Sequence, residues 1–151
     1  MLGRIIRKIK AIFFKIIFPR FREAVLYDVP KVYHMEKLTI GKNVHINDNV
    51  FINAAGRVSI GNYGVLSHGV TILSTGLDTS KWLNRIENED LHIERPVVIG
   101  DNVWIGANTT ICPGVSIAAN TIIAAGAVVS KSIEEEGCLY GGVPAKKLKE
   151  L

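Results

Sequence analysis

From residue 97 to residue 130 the chain repeats itself every six positions. Ile99, Ile105, Ile111, Ile117, Ile123 and Val129 stand six apart without a slip, and Val97, Val103, Thr109, Val115, Thr121 and Ala127 stand two residues before each. Gly100 and Gly106 directly follow their isoleucines, and Cys112, Ala118, Ala124 and Ser130 keep the same slot small. An α-helix has no period of six, and an ordinary strand alternates by two without a small residue at every sixth place. The pattern predicts a triangular coil in which each six-residue side points one aliphatic residue inward and small residues relieve crowding at the corners. Three sides make a coil of about 18 residues, and stacked coils bury a continuous aliphatic column.

The first half carries a rougher copy. Ile40, Ile46 and Ile52 keep the step of six; the chain then slips by two and resumes with Ile60, Leu66 and Ile72, partnered by Val58, Gly64 and Val70. Between the two blocks, residues 75–95 break the period with a polar stretch, and an interruption of that length in a compact domain is usually functional or mobile. Before the repeats, Leu2, Ile5, Ile6, Ile9, Ile12, Phe13, Ile16 and Ile17 recur at three- and four-residue spacing, which predicts an amphipathic helix within residues 1–22. Residues 23–151 then form the body, with a loop at 75–95 and a basic tail at 143–151 that reads as a short C-terminal helix.

Charge sharpens this division. The net charge of +4 is carried by residues 1–22, which hold seven basic side chains and no acid, while the remainder has eleven Lys and Arg against fourteen Asp and Glu. A basic arm on a mildly acidic body argues against a nucleic-acid-binding domain. Lys15 and Pro19 spoil the unbroken apolar stretch and small-residue cleavage site of a secretory signal, and no run reaches the ~20 apolar residues of a membrane span. Two readings of the arm stay open: packing on the body or a partner subunit, or lying in the interface of an anionic membrane, which the basic excess favours. Cys112 and Cys138 have no CxxC spacing and read as two reduced thiols of a cytoplasmic protein.

The run Ile99-Gly-Asp-Asn-Val-Trp-Ile-Gly106, followed by Pro113-Gly-Val-Ser-Ile117, Ala125-Gly-Ala-Val-Val129 and Gly141-Gly-Val-Pro-Ala-Lys146, resembles the hexapeptide-repeat acyltransferases. Among them it is most similar to the maltose and galactoside acetyltransferases and to the O-acetyltransferases of capsule and lipopolysaccharide synthesis. The resemblance covers about residues 40–149. It implies an all-β fold, a left-handed parallel β-helix, assembled as a homotrimer with the cofactor groove between subunits. It also implies transfer of an acetyl group from acetyl-coenzyme A, without a metal, to a hydroxyl of a saccharide.

Such a transfer needs a base for the hydroxyl proton, a donor for the oxyanion and a groove that aligns pantetheine with acceptor. Histidine is the natural base at neutral pH. Galactoside-type enzymes carry theirs just after a Thr-Gly pair, where this chain reads Thr75-Gly76-Leu77-Asp78. Of the four histidines, His34 precedes the repeats and reads as structural or solvated, and His45 falls at a solvent-facing side position. His68 lies on the coil before the loop. His92, in Leu91-His-Ile-Glu-Arg-Pro96, ends the loop and is similar to the histidine of the Arg-His-Pro segment in serine acetyltransferases, so it is the leading candidate for the base, with His68 behind it. Loop closure would bring His92 back beside Thr75 and Asp78, and Asp78 or Glu94 would orient the imidazole.

The remaining candidates follow from the same resemblance. Asn53 matches an acceptor-binding asparagine, or is a corner residue bonding its own backbone. Ala107 stands where a serine approaches the thioester, leaving its backbone N–H for the oxyanion. Ala125 and Ser130 match main-chain contacts to pantetheine, and Lys146 and Lys149 match the basic residues that meet the nucleotide phosphates. Trp104 stands beside the cofactor groove or at a subunit interface, and Trp82 stacks on a sugar or pins the loop. Two other functions share the fold. A zinc carbonic anhydrase needs two histidines five residues apart, and none here are so spaced. A non-catalytic scaffold or coenzyme A binder remains open, as does transfer to an amine of an amino sugar.

Overall fold

The structure is a computed structural model that describes residues 2–86 and 91–151. It is a parallel β-helix of triangular section, entered through one α-helix, α1 (Leu2–Ile17). Strands of two to five residues stack into three sheets. The first sheet runs through Val25–Leu26, His45–Ile46, Val65–Leu66, Trp104–Ile105, Ile122–Ile123 and Cys138–Gly141. The second holds Lys31–Tyr33, Phe51–Asn53, Thr71–Leu73, Thr110–Ile111 and Val128–Val129, and the third Leu38–Ile40, Val58–Ile60, Val97–Ile99 and Ser116–Ile117. Each strand pairs in parallel with its equivalent one coil away.

The residue pairs measure the coils. Val25 pairs with His45 and His45 with Val65, twenty residues apart each time. Trp104 pairs with Ile122 eighteen residues on, but Val65 pairs with Trp104 across thirty-nine. The slip of two in the first half therefore has a simple cause: the early coils carry two extra residues at the corner before the third sheet. There Met35–Lys37 forms a short 3₁₀ turn, and in the next coil the Arg57 N–H closes a turn on the Ala54 carbonyl. The long coil equals an eighteen-residue coil plus the 21 residues of the interruption, so residues 75–95 leave the register intact.

Both aliphatic columns point inward as the period predicts, with Val103, Ile105, Ile111, Val115, Ile123 and Val129 all essentially buried. Thr109 and Thr121 share the column and satisfy their hydroxyls on the carbonyls of Ala124 and Ala119. The small residues are required by the stacking. A Cβ on Gly106 would lie 2.5 Å from the Ala125 nitrogen, inside any tolerable contact. At two corners each coil turns through a positive φ. Asn43, Tyr63, Asn102 and Asn120 share one such corner and Asn49, Gly69, Asn108 and Gly126 another. Asparagine tolerates the left-handed region because its short amide bonds locally.

The coil starts earlier than the residue 40 from which the sequence pattern is legible. Leu26 and Val32 pack against the core from a first coil whose base is closed by Phe21, fully buried, with the Phe14 ring edge-on to it at 4.9 Å and the Phe18 ring tilted against Phe14 at 4.8 Å between centroids. At the other end the expected C-terminal helix is not formed. Lys146–Glu150 is instead a strand, antiparallel to Cys138–Gly141. Gly142, at φ 95°, reverses the chain, and the last segment pairs with a sheet edge that would otherwise be open. Cys112 and Cys138 are both free, and burial pushes the Cys112 thiol up.

Ile111→Ala, at a fully buried position, is expected to lower stability by roughly 2–5 kcal/mol. The measurement is urea unfolding with a reduced midpoint and unchanged slope. Ser116→Ala on the outer face should stay within about 0.5 kcal/mol of the parent.

Candidate functional site

The loop at 75–95 leaves and rejoins the body at the corner between the second and third sheets. Its ends form an antiparallel hairpin, Thr75–Leu77 against His92–Glu94, in which His92 stands directly opposite Leu77, Ile93 opposite Gly76 and Glu94 opposite Thr75. Ser74 anchors the base. It is fully buried, its Oγ donates to the Asn53 carbonyl and accepts from the Gly56 N–H, both at 2.8 Å, and its carbonyl accepts from the Arg95 N–H. Residues directly opposite in an antiparallel pair project to the same face with Cβ atoms ~5 Å apart. The exposed His92 side chain thus shares a face with Leu77, the position after the Thr-Gly pair.

Asp78 follows as the N-cap of the 3₁₀ segment Thr79–Asn84. Its carboxylate accepts from the Ser80 hydroxyl at 2.6 Å and N–H at 3.1 Å, and Lys81 lies 3.7 Å away. The Ser80 hydroxyl is the main reason that this carboxyl stays below the usual carboxylate range. Glu94, the other candidate partner of His92, sits 3.4 Å from the Lys37 Nζ. Trp82 is half exposed, with the Arg85 guanidinium 4.8 Å over its ring, and Leu83 beside it is 94% exposed.

The corner between the first and second sheets holds a second constellation. Gly69 N–H bonds the Asp48 carbonyl, Asn108 N–H the His68 carbonyl, and Gly126 N–H the Ala107 carbonyl. Asp48, His68, Ala107 and Ala125 are therefore equivalent positions of four successive coils, one column with a step of ~4.8 Å. His68 Nδ1 lies 3.0 Å from Asp48 Oδ1, and this hydrogen bond holds the Asp48 carboxyl below its ordinary range. A cleft lined by Asp28, Lys31, Asp48, Asn49 and Phe51 opens at its lower end. The sequence reading missed Asp48. The signal was its twenty-residue spacing from His68, which means nothing until the coil length is known.

The other candidates separate by corner. Asn53 pairs with Leu73, Leu73 underlies Cys112, and Cys112 underlies Ser130, so Asn53 and Ser130 share the column from which the loop departs. Asn53 Oδ1 accepts from the Ala55 N–H at 3.1 Å, the local bond of a corner asparagine. Within one chain these two columns stand at opposite ends of the second sheet, about 15–20 Å apart at ~3.3 Å per residue. Trp104 projects outward from the first sheet, half exposed, and its indole N–H donates to the Ser67 hydroxyl at 3.1 Å. Lys146 and Lys149 lie on the exposed last strand at the far end of the stack, flanking Lys147, which Glu135 binds at 2.6 Å and so raises. His34 is exposed beside Glu36, and His45, expected to face solvent, is half-buried within 3.3 Å of the Tyr27 hydroxyl. Among the described residues no group of three or more His, Cys, Asp or Glu is gathered that could hold a metal ion.

Residues 96–131 match the family described as bacterial transferase hexapeptide (six repeats). That stretch is a hexapeptide repeat, and the coil built on it matches the left-handed β-helix of hexapeptide-repeat acetyltransferases. It is 34% identical over 124 residues to galactoside O-acetyltransferase of Escherichia coli (strain K12), covering 81% of this chain and 59% of that protein. Against the putative lipopolysaccharide biosynthesis O-acetyl transferase WbbJ of the same strain it is 32% identical, covering 82% of this chain and 55% of that one. The hexapeptide-repeat acetyltransferase VCA0836 of Vibrio cholerae O1 biovar eltor, solved in complex with acetyl-coenzyme A, superposes with a TM-score of 0.75 at 29% identity over 81% of this chain and 64% of that one. The chain thus spans little more than half the length of these curated relatives.

Ser74→Ala removes both bonds at the loop base and leaves the buried Gly56 N–H without its acceptor, which is expected to cost roughly 1–3 kcal/mol. Amide hydrogen exchange checks it, with the Gly56 and Arg95 amides losing protection before the remainder of the coil.

Proposed function

We propose that this protein is an acetyl-coenzyme A-dependent O-acetyltransferase whose acceptor is a saccharide hydroxyl and whose general base is His92. The observation that carries the reading is the hairpin at 75–95. It sets His92 opposite Leu77, so an imidazole returns to the face from which the family's own histidine is missing. Support for the chemistry comes from the galactoside and lipopolysaccharide acetyltransferases that the chain resembles and from the acetyl-coenzyme A complex of a structural relative.

In this reading the imidazole takes the proton of the acceptor hydroxyl as its oxygen attacks the thioester carbonyl. The tetrahedral oxyanion is held by the Ala107 N–H and collapses to the acetyl ester, expelling the coenzyme A thiolate, which recovers the proton from the imidazolium. The cofactor descends from Lys146 and Lys149 past Ala125 and Ser130 to Ala107, while Asn53 and Trp82 meet the acceptor. Ala107 and Ala125 stand on one corner and Ser130, Asn53 and the loop on the other. A groove using all of them is complete only where the first corner of one chain faces the second corner of another, and a homotrimer provides that junction three times.

One observation favours a second choice of base. His68 lies one coil below Ala107 and is bonded to Asp48 at 3.0 Å, which is the orienting arrangement of a histidine–carboxylate pair. The two choices separate by mutation. Thiol release from acetyl-coenzyme A with a panel of saccharides should fall at least about 100-fold in kcat for His92→Ala, with coenzyme A affinity unchanged and with His68→Ala and Asp48→Asn close to the parent. A loss confined to His68→Ala, partly reproduced by Asp48→Asn, moves the base to the corner pair. Coenzyme A binding without thiol release for any hydroxyl or amine acceptor would overturn the enzymatic reading in favour of a cofactor-binding scaffold.

A further inference from the structure

The N-terminal helix uses the wrong face for an ordinary packed helix. Ala11, Phe14 and Phe18, at i, i+3 and i+7, form the side turned to the body, with Ala11 buried and both phenylalanines packed against the core beneath Phe21. The Arg7 guanidinium, 3.6 Å from Asp28, ties the same side to the first coil. At 100° per residue the stripe Ile5, Ile9, Ile12, Phe13 and Ile16 lies on the opposite side of the cylinder, and the structure leaves it open: Phe13 is 61% and Ile16 69% exposed. The side bearing Ala11 and Phe14 is used for docking, and the large aliphatic side faces outward. Contiguous apolar surface of this kind is rare on a monomer and marks a contact.

Charge identifies the contact. Lys8 and Lys15 border one edge of the stripe and Lys10 the other, and residues 1–22 contain seven cations without one carboxylate. We propose that the outward stripe of α1 lies in the headgroup region of a lipid bilayer bearing anionic lipids, with the first coil of the solenoid nearest the membrane and the strand Lys146–Glu150 farthest from it. An apolar stripe flanked by lysines is the form that interfacial helices take, the side chains entering the acyl boundary while the ammonium groups stay at the phosphates. No helix among the described residues is long and apolar enough to cross a membrane, so the contact is with one leaflet. A second copy of the stripe is a poor occupant, because it would set Lys8, Lys10 and Lys15 against the same three lysines of the other copy. The acidic remainder of the chain is repelled by the same surface that attracts the helix, which favours one orientation on the membrane.

The test uses the full chain and extruded vesicles of phosphatidylcholine, alone or with about one-third phosphatidylglycerol, read by co-sedimentation. The expected result is binding to the anionic vesicles that weakens with added salt and much weaker binding to the neutral ones. Phe13→Glu combined with Ile16→Glu, at positions that touch nothing in the core, should reduce partitioning at least about tenfold without changing the melting curve. Lys8→Glu and Lys10→Glu should each reduce it about fivefold. Equal partitioning of the parent and the Phe13→Glu/Ile16→Glu variant, or no binding by the parent, overturns the proposal. So does a stripe variant that changes the sedimenting oligomer but not vesicle binding, which would assign the stripe to another copy of the chain.

Discussion

Every coil of this protein must lie on the one below it in register, because the short strands of the coils bond in parallel to their equivalents in neighbouring coils. The backbone groups of Gly100, Gly106, Asn108 and Gly126 all find their partners in this way. The constraint fixes where each residue type can stand. Two positions in six are closed inside the aliphatic column, one must be small enough for the next backbone to pass, and one corner residue must accept a positive φ. What is left for chemistry is a set of outward columns, each contributing one side chain per coil. The candidate residues stand on two such columns, and within one chain no rearrangement of side chains can bring those columns closer than the width of a sheet.

This explains which parts of the molecule are legible in the sequence. Ile99 to Val129 are visible because register imposes a strict period on residues that all serve one buried column. The first coil is hidden because its inward positions are Ala24, Leu26, Pro30 and Val32, residues that many other folds would also use. Loop closure was expected to set His92 beside Thr75 and Asp78; the hairpin sets it opposite Leu77 and puts Glu94 opposite Thr75, a register that depends on Ser74 and Arg95 holding the two ends. Asp48 and His68 are twenty residues apart, and nothing in a period of six marks that distance until the extra corner residues of the early coils are seen. The basic tail, which reads as a helix by composition, becomes a strand because an open sheet edge beside it outweighs local preference.

The two ends of the stack solve the same problem differently. A solenoid exposes its core and its strand edges at both termini and must cover them. At the base, Phe21 plugs the column and α1 lies across it through Phe14 and Phe18. At the top, Lys146–Glu150 folds back along Cys138–Gly141 and presents a charged outer strand. The caps also polarise the molecule. One end offers aliphatic side chains and cations, the other a row of lysines and glutamates over a closed sheet.

The thirty-nine-residue coil has a consequence for how such proteins diverge. Val65 meets Trp104 and Thr71 meets Thr110 as though the intervening segment did not exist, and the hairpin at its neck isolates whatever lies beyond. The segment from Thr75 to Arg95 is in effect a cassette, joined to the frame at its neck by Ser74 and by the Glu94–Lys37 ion pair. Its sequence can drift, lengthen or be exchanged while the register and the neighbouring columns stay as they are. A lineage built on this frame can therefore vary one short stretch of gene without renegotiating the stability of the rest.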